Sequence, residues 1–117
     1  MEQRYALGPN EVKKFSTEEL RKNFLMESLF VEGQIQFVYT HYDRMMIGGV
    51  NPGSATVKLE TYPELRSEYF LERREIGIIN VGGEGKVEAD GTYFGVSKMD
   101  CLYLGKGTKN LRFSSVD

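Results

Sequence analysis

The chain has no tryptophan, one cysteine, one histidine and three prolines in 117 residues. A lone cysteine, Cys101, excludes an internal disulfide and fits the reducing cytoplasm. Alternating with polar neighbours in a β-rich segment, it reads as a packing residue. A lone histidine, His41, cannot supply the imidazole set that a catalytic metal ordinarily takes. No apolar run approaches the roughly 20 residues that cross a bilayer. The opening segment, MEQRYALGPNEVKKF, has no signal-peptide apolar core. Basic residues are not in excess either. A net charge of −2 argues against nucleic acid as a main partner, because little neutralises phosphates.

What is present describes an ordinary globular domain, 40% hydrophobic and 27% charged. The length suits one domain with a real core, and no repeat, linker or low-complexity tract divides it. Residues 1–117 therefore read as a single compact unit. One helix is signalled, over about 17–25. Ser16 is its N-cap, and Glu19 three residues on completes a capping box. Phe15 and Leu20 form a hydrophobic staple, and Leu20 and Phe24 share one face for packing on a sheet.

Thirteen glycines, seven tyrosines and seven phenylalanines point instead to strands joined by tight turns. Residues 35–40, IQFVYT, are β-rich. An apolar run over 44–50 ends in Gly48-Gly49, and Asn51-Pro52-Gly53-Ser54 turns the chain into a strand at 55–59. Residues 62–65 open a connection of undefined shape. Strands follow over 76–81, 86–89, 92–96, 101–104 and 110–113. Between the second and third of these stands Asp90-Gly91, a strong two-residue hairpin signal, since a type I′ turn needs φ > 0 at both positions. No crossover helices intervene, so the expected fold is mainly β: an antiparallel barrel or jelly roll with one short N-terminal α-helix.

The stretch 69–113 resembles the two motifs of the cupin family, a small metal-binding barrel. Glu75 and Gly82 keep the E-x6-G part of the first motif. Tyr69 and Leu71 stand where its histidines would be. In the second motif Met99 takes the place of a glycine, Gly105 that of a proline and Asn110 that of a histidine, while Gly107 matches. The resemblance implies a cupin-like frame from which the imidazoles are gone. Glu75 alone, or with His41, makes an incomplete metal site. It reads as a remnant, or as a partner of Arg73 or Arg74.

Longer runs are more specific. FLERRE…IINVGG, HYDRMMIGG, STEELRKNFLMESLFV and YLGKGTKNLRFSSVD together resemble the N-terminal half of the 5-dehydro-4-deoxy-D-glucuronate isomerases, also called 4-deoxy-L-threo-5-hexosulose-uronate ketol-isomerases. This resemblance implies bacterial pectin and glycosaminoglycan breakdown. The reaction it implies interconverts 5-keto-4-deoxyuronate and 3-deoxy-D-glycero-2,5-hexodiulosonate through an enediol. It further implies a two-cupin protein assembled as a hexamer, with zinc held in the C-terminal cupin. The chain then corresponds to the metal-free N-terminal half, with the C-terminal half absent and no activity expected of it alone. No residue here is assigned as catalytic, cofactor-binding or metal-ligating.

Other features carry open readings. Arg73 or Arg74 in Glu72-Arg73-Arg74-Glu75 could grip a substrate carboxylate, or join an ion-pair network. Lys106 and Lys109 flank Gly107, but GKGTK lacks phosphate-loop spacing and reads as solvated. Asp43-Arg44 beside His41 could be an interface or an internal pair. Three functions follow: a structural and oligomerisation domain of the isomerase; a metal-free module that binds sugar acids; or, last, an independent metal enzyme using His41 and Glu75.

Overall fold

The computed structural model describes residues 1–116, which divide into two compact units. The first comprises Met1–Val31 with Ile35–Asn51, and the second Glu32–Gln34 with the chain from Pro52 onward.

In the first unit, strand β1 (Glu2–Arg4) runs parallel to β2 (Gln34–Thr40), with Glu2 opposite Val38 and Arg4 opposite Thr40. Strand β3 (Met46–Asn51) flanks β2 on the other side. Helix α1 (Pro9–Val12) begins with proline at the position where a missing N–H costs nothing, and Glu11 Oε1 accepts from the Gly8 N–H at 3.1 Å. Helix α2 (Thr17–Phe24) has the expected capping box: Ser16 Oγ accepts from Glu19 N–H, and Glu19 Oε1 accepts from Ser16 N–H, both at 3.2 Å. None of its residues is buried, and Phe24 is 49% exposed, so the expected packing of its apolar face on a sheet is not made. Gly48 and Gly49 do not end a strand; they lie inside β3. A Cβ at Gly48 would stand 2.4 Å from the Phe37 ring, and one at Gly49 would stand 2.5 Å from the Leu29 carbonyl.

The second unit holds two sheets. Strands β4 (Val57–Lys58), β6 (Gly85–Ala89), β7 (Thr92–Val96) and β9 (Leu111–Ser115) form an antiparallel sheet in the order β4-β9-β6-β7. Strands β5 (Ile76–Ile79) and β8 (Cys101–Leu104) pair separately and antiparallel, with Ile79 opposite Cys101. A short 3₁₀ turn at Pro63–Leu65 fills the connection left undefined by the sequence. Asp90 and Gly91 take φ of +48° and +85°, the left-handed pair a two-residue hairpin needs. The core here is Leu59, Phe70, Leu71, Val87, Ala89, Val96, Leu104, Leu111 and Phe113.

The mainly β expectation holds, and three details change. The described residues contain no closed barrel: their strands fall into three sheets. Near the end of β5 a side chain bridges to β7. The Asn80 amide donates to the carbonyls of Val96 and Gly83, each at 2.8 Å, and its Oδ1 accepts from Gly82 N–H at 3.0 Å. Among the described residues there are two α-helices where one was expected. The β1–β2 pair is parallel, whereas the strand pairs of the second unit are antiparallel.

Candidate functional site

The segment from Tyr69 to Glu75 enters β5 and carries most of the residues singled out for chemistry. Leu71, at one of the two histidine positions of the first motif, is 1% exposed and belongs to the core. Its carbonyl accepts from Gly107 N–H at 2.8 Å. Tyr69, at the other, faces the Lys109 ammonium 6.0 Å from its ring centroid. The two motif segments thus come together in space. What meets there is an isobutyl group, a phenol, backbone and a lysine, which gives no donor set for a metal.

Asn110, at the histidine position of the second motif, contributes its backbone. Its N–H donates to Asp90 Oδ1 at 2.8 Å, and Lys109 N–H donates to both oxygens of the same carboxylate at 3.1 and 3.2 Å. The GKGTK loop does hold an anion, and the anion is the chain's own Asp90. The sequence showed Asp90 only as a turn residue. Its partners lie 19 and 20 positions away, beyond any local pattern.

Glu75 is not paired as expected. Its carboxylate accepts from the Tyr103 hydroxyl at 2.6 Å, across the β5–β8 pair. That hydrogen bond, with slight burial and the carboxylate's charge, pushes the Tyr103 phenol above its ordinary value of 10.0. Arg73 donates to the carbonyls of Leu65 and Arg66 at 2.7 and 2.6 Å, clamping the end of the 3₁₀ turn where Arg66 sits at φ +49°. Through Nη2 the guanidinium thus serves a structural role at this turn. Arg74 lies 6.0 Å from the Phe70 ring centroid. Nearby, burial and then the Glu64 charge push Tyr62 upward, and its ring meets Phe70 edge-on at 6.3 Å.

His41 lies in the other unit. Its ring stacks on Tyr5 at 4.4 Å, nearly parallel, and one ring nitrogen is 3.2 Å from Gln3 Oε1. Those contacts make it an aromatic fastener of the N-terminal strand. Asp43 and Arg44 both take left-handed φ, +53° and +57°, and form the tight reversal between β2 and β3. Cys101 is exposed, correcting its reading as a packing residue: the alternation in β8 puts Leu102 and Leu104 inward and Cys101 outward. Among the described residues no group of three or more His, Cys, Asp or Glu could hold a metal. No helix among them is long and apolar enough to cross a membrane.

No protein-family model matches the chain. Curated relatives do. It is 50% identical over 117 residues to the 4-deoxy-L-threo-5-hexosulose-uronate ketol-isomerase of Halalkalibacterium halodurans, covering all of this chain and 42% of that protein. It is 51% identical over 115 residues to the enzyme of that name in Bacillus pumilus, and 47% identical over 117 residues to that of Bacillus subtilis. Both matches also cover 42% of the relative, so the chain spans about two fifths of the length of these proteins.

Proposed function

We propose, for a chain that belongs to the 4-deoxy-L-threo-5-hexosulose-uronate ketol-isomerase family, the role of a structural N-terminal domain in such an isomerase. The reaction of the complete enzyme is then the interconversion of 5-keto-4-deoxyuronate and 3-deoxy-D-glycero-2,5-hexodiulosonate, in cytoplasmic pectin and uronate breakdown. The domain contributes packing and oligomer contacts, within a hexamer as the resemblance implies.

One observation carries this reading. The two motif segments meet where Gly107 N–H bonds the carbonyl of Leu71, whose side chain is core, while Asn110, at the second motif's histidine position, is held by its backbone to Asp90. Zinc is implied for the family, and the residues at these positions do not fit it. Leu71 has no donor atom, and Glu75 is committed to Tyr103. That misfit supports the reading that the proposed metal site, and the proton transfer at the enediol, lie in the part of the relatives that this chain does not span. The alternative, a metal-free module for sugar acids, is less favoured because Arg73 Nη2 is engaged with two backbone carbonyls.

The test is an isomerase assay on this chain alone and on the chain mixed with the remaining segment of a relative. Activity only in the mixture is the expected outcome. Turnover by the chain alone, resistant to chelators, would overturn the proposal. Saturable heat on titration with a uronate, without turnover, would favour the binding module.

A further inference from the structure

We infer that the 105–110 loop is a strap, latched by the Asp90 carboxylate over the segment carrying Tyr69 and Leu71. The strap is held at two points. At one end Lys109 and Asn110 N–H groups grip Asp90, at 2.8 to 3.2 Å, while Asp90 N–H donates to the Asn110 carbonyl at 2.9 Å. At its middle Gly107 N–H donates to the Leu71 carbonyl at 2.8 Å, with φ +99° at Gly107 turning that N–H inward. From the first of these points the Lys109 side chain reaches across to the Tyr69 ring. Thr108 folds back within the loop, its hydroxyl donating to the Gly105 carbonyl at 3.0 Å.

The latch is electrostatic as well as geometric. A carboxylate accepting from successive backbone N–H groups binds more strongly than a neutral acceptor. Its position is set by the type I′ turn at the tip of the β6–β7 hairpin. The hairpin tip therefore controls a loop far along the chain, and through Gly107 it controls closure over Leu71. If the latch opens, the Gly107–Leu71 bond loses its restraint, and the segment that the two motifs share becomes accessible to water.

Backbone amide hydrogen exchange on the 117-residue chain and on D90A and D90N tests this. In D90A, exchange at Lys109, Asn110 and Gly107 is expected to rise about three- to tenfold, with the amides of the β5–β8 ladder unmoved. D90N keeps an amide oxygen as a neutral acceptor, so its rise should be smaller at the same three positions. Should Asn110 and Lys109 speed up while Gly107 stays protected, the contact is local and the strap is refuted. Uniform acceleration of every slow amide in the second unit would refute it too, as general destabilisation. If D90A does not fold, D90N is read by the same criteria.

Discussion

The two units of this chain are held together by different means. Beyond residue 52, nine apolar side chains are buried, and Leu71, Val87 and Leu111 are 1 to 2% exposed. In the N-terminal unit Val38 is the buried apolar side chain, joined by buried Thr40, whose hydroxyl donates to the Met45 carbonyl at 2.7 Å. That unit relies on caps, a tight reversal, a ring stack and close glycine contacts. Hydrophobic burial is non-directional and cumulative, whereas caps and turns act locally and individually. The unit with the core should unfold cooperatively, and the other should loosen piece by piece.

Leu71→Ala should break this contrast most visibly. It removes a fully buried side chain and should cost about 2–5 kcal/mol. Chemical denaturation followed by tyrosine fluorescence measures the loss; a cost below about 1 kcal/mol would mean that this core is loosely packed. Gly91→Ala comes next, because φ +85° forces a Cβ into the left-handed region. About 1–2 kcal/mol is expected from the same measurement.

Ser16→Ala probes the N-terminal unit. Loss of the cap should cost about 1 kcal/mol of helix stability, seen as faster amide exchange in α2 with the second unit unchanged. Coupled loss of both would contradict the separation. The smallest effect is expected at Glu75→Gln, read by ultraviolet-difference titration. Tyr103 is raised in the fold, so the stability it contributes is complete below the unfolded tyrosine value of 10.0 and disappears as pH rises through the folded value. Removing the Glu75 charge should move the titration back toward 10.0. An unmoved titration would mean that the 2.6 Å contact does not persist in solution.

Much of this architecture was legible in advance where its cause is local. The Ser16–Glu19 box is a matter of spacing three along a helix, and it forms as read. Asp90-Gly91 needs only two left-handed residues, and strands 92–96 and 101–104 fall where expected. Helix α1 was missed because four residues carry too little periodicity to register. The reading of Cys101 failed on the face of a strand, since period-two alternation marks two faces and does not say which is buried. Glu75, Asp90 and Arg73 were seen as residues, but their partners were not. A carboxylate's neighbour across a sheet, or a guanidinium's carbonyls seven and eight positions back, leaves no mark in the order of residues.

The motif stretch divides the same way. By itself the sequence determined that no imidazole stands at Tyr69, Leu71 or Asn110, because ligand chemistry is a property of side-chain identity. Only the tertiary structure decided what fills the place: Leu71 drawn into the core, Asp90 holding the loop, and Tyr103 taking Glu75. Burial and long-range hydrogen bonds depend on what the folded chain places within a few ångströms, and that is fixed when sheets and turns close on one another.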